Sequence, residues 1–172
     1  MTTSPHSAAH GDHTTEGRPN GFSSLTPFIV IPRAAEAIAF YIEVFGARLV
    51  DSTEFDGRIA HAELAFAFGR LQLGEPMPNY RLIPGPEGED DCYSLGLYVP
   101  DVDDTVARAL AVGATLREPL TNFASGDRFA SVRDPFGVRW SIMTRIEDLT
   151  DAESAARVSE WAATAPGSDA SA

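Results

Sequence analysis

Between residues 26 and 146 the chain alternates short strand-like runs with two helix-like stretches. In a strand, successive side chains point to opposite faces. One parity is consistently apolar: Ile29 and Ile31, Leu64 and Phe66, Leu71 and Leu73, Leu95, Leu97 and Val99, Trp140 and Ile142. The other parity is mixed: Thr26, Phe28 and Val30; His61 and Glu63; Arg70 and Gln72; Ser94, Gly96 and Tyr98; Phe129, Ser131 and Arg133; Arg139, Ser141 and Met143. Two stretches change period. Ile38, Tyr41, Ile42 and Phe45 recur at i, i+3, i+4, i+7, as do Val102, Val106, Ala109 and Leu110 to within one position. Both predict amphipathic helices. Gly46 and Gly113 follow these helices, where a left-handed residue commonly ends one.

The pattern occurs twice, at an offset of about 68 residues. Thr26–Pro32 answers Ser94–Pro100, Ile38 answers Val106, Ile42 answers Leu110, Gly46-Ala47 answers Gly113-Ala114, and Phe68-Gly69 answers Phe136-Gly137. Each half reads strand, helix, three strands. The expected strands are Arg48–Thr53, Arg58–Phe66 and Arg70–Gly74 in the first half. In the second they are Thr115–Leu120, Arg128–Arg133 and Val138–Thr144. Asp134-Pro135-Phe136-Gly137 has the residue order of a type I turn. Thr150 with Glu153 forms a capping-box pattern and opens a last helix.

The organisation follows. Residues 1–21 are polar, carry His6, His10 and His13, and are expected to be a disordered arm, because they have too little apolar content to offset the entropy of ordering. Residues 22–148 form the folded domain, with modules at 25–75 and 92–146. A helix spans 149–163, and 164–172 is a loose tail. The join between the modules is long, acidic and rich in Pro and Gly, a length at which a lid becomes a reasonable expectation. The fold class is α+β: two tandem βαβββ modules forming a curled mixed sheet with a concave cleft, plus a C-terminal helix.

Charge narrows the partners. The net charge is −12 and the pI about 4.6. Such a chain is repelled by phosphate backbones and anionic lipid, which argues against nucleic-acid and membrane-surface roles. All 13 basic residues are Arg, which excludes lysine Schiff-base chemistry. Cys92 is the only cysteine and reads as a small buried hydrophobe. No apolar run approaches the ~20 residues of a membrane span, and the N-terminus has no hydrophobic signal core, so a cytoplasmic location is expected.

The tandem βαβββ rhythm resembles the vicinal oxygen chelate superfamily, which includes glyoxalase I, bleomycin-resistance proteins and extradiol dioxygenases. Ala39-Phe40-Tyr41 and Val44-Phe45-Gly46-Ala47 look like the family's first helix and turn. Gly57–Leu64, Gly126-Asp127-Arg128, Arg133–Gly137 and Trp140-Ser141 look like its PhnB-type branch. The resemblance implies a homodimer and a small-molecule site on the concave face. Candidate ligand contacts there are Phe28, His61, Glu63, Gln72, Ser94, Tyr98, Phe129, Arg139 and Ser141. The family's metal enzymes take one ligand from the first and last strand of each module, usually His or Glu. Those positions fall here on Thr26, Gln72, Ser94 and Ser141, none of them imidazole or carboxylate. The expectation is therefore no metal and no cofactor.

His61 and Glu63 sit two apart on one strand and are the catalytic candidates. A carboxylate beside an imidazole can hold it as a general base or acid. Equally, the two can contact ligand, or they can neutralise the nearby arginine face of Arg70, Arg133 or Arg139 and orient the sheet. Paired charges at Asp127-Arg128 and Arg133-Asp134 read as strand-end structure, with an Arg entering the cleft as the other option. Tyr80 and Arg81 are candidates to close over a bound molecule. Three functions remain: a metal-free binding protein that sequesters an aromatic or cationic compound; an enzyme on a small carbonyl or aromatic substrate using His61 and Glu63; or a structural module with a vestigial cleft.

Overall fold

Alternation forces one side of each sheet beneath a helix, and in the computed structural model, which describes residues 8–164, that happens twice. The chain divides into two compact units, up to Gly85 and from Pro86 onward.

The first unit opens with a small hairpin, β1 (Thr14–Thr15) and β2 (Arg18–Pro19). There follow β3 (Phe28–Val30), α1 (Ala34–Phe45), β4 (Arg48–Phe55), β5 (Arg58–Ala65) and β6 (Arg70–Gly74). The sheet order is β3-β6-β5-β4, with β3 parallel to β6 and the other pairs antiparallel. Helix α1 lies against β4 and β5. It buries Ala34, Ala37, Ile38, Phe40, Tyr41 and Val44, and the sheet contributes Ile29, Ala62, Leu64, Leu71 and Leu73. Each large apolar side chain here contributes about 1.5–3 kcal/mol by leaving water, which fixes the strand register.

The second unit repeats the plan: β7 (Ser94–Tyr98), α2 (Val102–Ala111), β8 (Thr115–Asn122), β9 (Asp127–Arg133) and β10 (Arg139–Arg145). Its order is β7-β10-β9-β8, again with the first and last strands parallel. Val102, Thr105, Val106 and Ala109 of α2 are buried, as are Ala130, Val132, Trp140 and Ile142 of the sheet. The α+β class and the doubled βαβββ order stand as the sequence predicts.

Both helix ends follow local chemistry. Gly46 and Gly113 adopt φ values of 67° and 98°, the left-handed region that ends a helix at no steric cost to glycine. At the start of α2 the Asp101 carboxylate accepts from Asp104 N at 3.0 Å. The last helix, α3 (Asp151–Thr164), carries the predicted capping box in full. Thr150 N and Oγ1 donate to Glu153 Oε2 at 2.9 and 2.7 Å, and Glu153 N donates to Thr150 Oγ1 at 3.3 Å.

Three details differ from the sequence reading. The buried stripe of α1 is rotated toward Ala37 and Val44, leaving Ile42 at 42% exposure, and Leu110 of α2 is likewise exposed. Small alanines let the helix approach the sheet, a choice that periodicity of large residues alone does not reveal. Residues 8–21, expected to belong to a disordered arm, instead hold the hairpin. Its exit is fastened by Arg70, which donates from Nε to Gly21 O at 3.3 Å and lies 4.7 Å over the Phe22 ring. His6 and the tail beyond Thr164 lie outside the described residues. Finally, the join does not run free, and Cys92 just after it is exposed rather than buried. Residues 78–80 form a 3-10 turn, and residues 86–91, within the second unit, are held by Arg117 and Arg133 of its sheet.

Candidate functional site

On the helix-free face of the first sheet, cross-strand pairing brings Phe28, Gln72 and Glu63 into one row on β3, β6 and β5. His61, two residues along β5, shares that face, and its ring lies 6.0 Å from Phe28 at an interplanar angle of 31°. The approach is possible because Gly74 has no side chain: a Cβ there would stand 3.1 Å from the Phe28 ring and inside contact distance of Ala60 O. Glu63 is buried and its carboxylate is engaged, taking a hydrogen-bonded ion pair from Arg70 and a 3.5 Å contact from Gln72 Nε2. Its partners are therefore Arg70 and Gln72 rather than His61. A cavity of about 510 Å³ opens beside this row, lined by hairpin residues together with Phe22, Thr26 and Gln72.

In the second unit the equivalent face carries Ser94, Gly96 and Tyr98 on β7, Arg139, Ser141 and Met143 on β10, and Phe129, Ser131 and Arg133 on β9. Met143 is the register partner of both Tyr98 and Phe129, so three apolar side chains form a band across three strands. Tyr98 is 56% exposed. Arg145 donates from Nε to Asp127 Oδ1 at 2.7 Å, and its pKa is raised, by Tyr98 first and then by Asp127. Next to this band Ser94 Oγ and Ser141 Oγ hydrogen-bond at 2.7 Å. Arg139 donates from Nε to Ser131 Oγ at 2.9 Å, across the same diagonal that Arg70 takes to Glu63.

The sequence profile of the Glyoxalase/Bleomycin resistance protein/Dioxygenase superfamily matches residues 12–142. The chain belongs to this superfamily. An uncharacterized Mycobacterium bovis protein is 33% identical over 131 residues, covering 73% of this chain and 86% of that protein. TioX of Micromonospora sp. ML1 is 28% identical with a TM-score of 0.56, over 72% of this chain and 98% of its own. The fosfomycin resistance protein FosX of Listeria monocytogenes, solved with Mn(II), is 13% identical with a TM-score of 0.59. It covers 78% of this chain and 96% of its own, and shares the fold.

The superfamily's metal enzymes make the donor set worth testing. Thr26 lines the cavity of the first unit, Gln72 is turned to Glu63, and Ser94 and Ser141 bond to each other. None points beneath a helix. Neutral hydroxyls and an amide are poor donors for a divalent transition ion, so these four positions do not fit one. Among the described residues no three His, Cys, Asp or Glu side chains group to replace them.

Of the flanking charges, Arg128 and Asp134 have their partners within the fold. Arg128 holds Asp103 at 2.5 and 2.7 Å and Asn122 at 2.9 Å. That pair lowers the Asp103 pKa, by hydrogen bonding first. The buried Asp134 carboxylate accepts from Phe136 N, Val138 N and Trp140 Nε1, each at 2.9 Å, closing the predicted turn. Tyr80 is exposed beside a cavity of about 370 Å³ formed with Phe55, Ile59 and Met77. Sequence reasoning missed Asp91, which lies among Arg117, Arg133 and Arg139 in the second unit, and missed Arg117 with it. Asp91 was legible only as one acid among several in the join.

Proposed function

We propose that this protein binds a small molecule carrying an aromatic group and leaves it chemically unchanged, without using a metal. The observation that supports this is the Tyr98–Met143–Phe129 band, an apolar surface on a face that otherwise carries Ser94, Ser131, Ser141 and Arg139. Apolar walls with a few oriented polar groups are how small-molecule sites are built. The thioether of Met143 and the ring of Tyr98 offer a polarisable surface to an aromatic ring. In the first unit, taken by itself, Phe28, His61, Glu63 and Gln72 form a separate candidate contact surface. The net charge of −12 draws cationic compounds toward the protein, which favours an aromatic cation over an aromatic anion.

The enzymatic alternative assigns proton transfer to His61 and Glu63. With Glu63 committed to Arg70, the imidazole would have to act without that carboxylate. A homodimer and a cytoplasmic location belong to the same proposal; among the described residues no helix is long and apolar enough to cross a membrane.

The test is equilibrium dialysis of the full chain against a panel of neutral, cationic and anionic aromatic compounds, with mass spectrometry of the recovered ligand. Retention of an unchanged aromatic compound is expected, with affinity falling about tenfold or more in Tyr98→Ala and Met143→Ala, as for truncated contact residues at other sites. Conversion of the compound to product, abolished by His61→Ala, would replace binding with catalysis.

A further inference from the structure

Arg133 and Arg139 are direct partners across β9 and β10, and Arg117 approaches from β8. Like charges opposite one another in a sheet are unfavourable unless something lies between them. Here that something is Asp91, at the end of the join, whose side chain is only 8% exposed. Its Oδ1 is 3.3 Å from Arg133 Nε, and its Oδ2 is 3.5 Å from Arg117 Nε and 3.6 Å from Arg139 Nη1.

The fit is poor in a specific way. Charge-assisted N–H···O bonds run at about 2.7–2.9 Å. All three contacts are longer, and Asp91 Oδ1, Arg117 Nε and Arg133 Nε are buried with no hydrogen-bond partner. A planar carboxylate has two oxygens in one plane, whereas these guanidiniums arrive from three strands. The remaining capacity of the arginines goes largely to the strap that carries Asp91. Arg117 takes Glu89 Oε2 at 2.6 Å and Glu89 O at 3.1 Å, and Arg133 takes Gly88 O and, at 3.5 Å, Pro86 O. Arg139 is also held by Ser131 and by Glu118 at 2.6 Å.

We propose that Arg117, Arg133 and Arg139 form a binding site for a tetrahedral oxyanion, a phosphate or sulfate group, which Asp91 occupies as an internal substitute. An oxyanion with three or four oxygens distributed in space serves three converging guanidiniums better than a carboxylate does. With Asp91 withdrawn, Glu89 and Glu118 leave three cations facing two carboxylates, a net charge that favours an anion. Binding releases the strap at residues 86–91, because the arginines that hold the anion also hold the strap. The site stands apart from the aromatic band: Arg139 and Met143 lie about 13 Å apart along β10 at the strand rise per residue. It shares Arg139 with the polar surround of that band, but its test varies only Asp91 and Arg133, so it holds or fails independently of the function proposed above.

The probe is inorganic phosphate, compared with chloride at matched ionic strength so that general screening cancels. Calorimetric titration of Asp91→Asn, which removes the competing charge and keeps the shape, is expected to show phosphate binding about tenfold or more tighter than wild type. Adding Arg133→Gln to Asp91→Asn is expected to abolish it. Equal affinity in Asp91→Asn and wild type, or binding that survives Arg133→Gln, overturns the proposal and leaves Asp91 a fastener of the strap. Should Asp91→Asn fail to fold, the wild-type chain decides. Phosphate is expected to accelerate cleavage by a glutamate-specific protease within residues 87–89 relative to chloride, and an unchanged rate overturns the proposal.

Discussion

Arg70 and Glu63 meet diagonally across β5 and β6 as an ion pair with both side chains largely withdrawn from water. Removing one partner from such a pair strands the other charge, which costs more than the pair itself contributes. Glu63→Ala is expected to lower unfolding stability by about 3 kcal/mol. It also loosens the hairpin exit, because Arg70 no longer holds a fixed direction toward Gly21 and Phe22. His61→Ala, which removes one face of a half-buried ring contact, is expected to cost less than about 1 kcal/mol. Urea denaturation of the two variants checks the ordering, and an equal effect would show that Glu63 is not the anchor of this face.

Asp134 supports the turn between β9 and β10 by accepting from two backbone amides and the Trp140 indole. Asp134→Ala leaves that buried indole N–H without this acceptor and opens the turn. A loss of about 3 kcal/mol is expected, from hydrogen bonds to a charged acceptor plus an unsatisfied donor. Trp140 fluorescence followed through guanidinium unfolding reports both the lower midpoint and the altered indole environment.

Gly74→Ala places a methyl group against Ala60 O and the Phe28 ring. Backbone oxygen in a paired strand cannot easily retreat, so overpacking is expected to cost about 1–3 kcal/mol. The same methyl displaces Phe28 from His61. Thermal unfolding measures the first effect, and the chemical shifts of the His61 ring protons measure the second.

Glu153 has its pKa lowered from the ordinary value of 4.5, chiefly by the Thr150 backbone N–H and then by the Thr150 hydroxyl. A carboxyl with a depressed folded-state pKa contributes stability that is present above the unfolded value and is lost as pH falls through the folded one. The cap of α3 is therefore expected to weaken on acidification below about pH 4.5. Circular dichroism at 222 nm during acid titration, with Glu153→Gln as reference, tests this. The difference between the two chains should shrink through that window, and a constant difference would remove Glu153 from the cap.

The doubled βαβββ order was readable because two apolar parities and two glycine-ended helices recur at a fixed spacing. Burial followed the predicted parity at Ile29, Leu64, Leu71, Leu73, Trp140 and Ile142. The polar face was readable for the same reason: period two assigns His61, Glu63, Gln72, Ser141 and Met143 to one side. Pairing between charged residues was not. That Glu63 answers Arg70 depends on a diagonal across two strands, and that Asp91 answers three arginines depends on where a long join returns. The hairpin before β3 was missed because its anchors, Gly21 and Phe22, are held by Arg70, far along the chain.

The two units place an arginine at the same step of their last strand but give it different company. Arg70 meets a carboxylate and Arg139 meets the Ser131 hydroxyl. The halves have consequently ceased to be interchangeable. A chimaera with the β5–β6 hairpin grafted in place of β9–β10 would import a private counterion for the arginine, and the residue closing the linker would be left with less to neutralise. A neutral residue in place of an acidic one at this single step thus leaves Arg139 to take its carboxylates from outside its own hairpin, Glu118 on β8 and Asp91 at the linker's end.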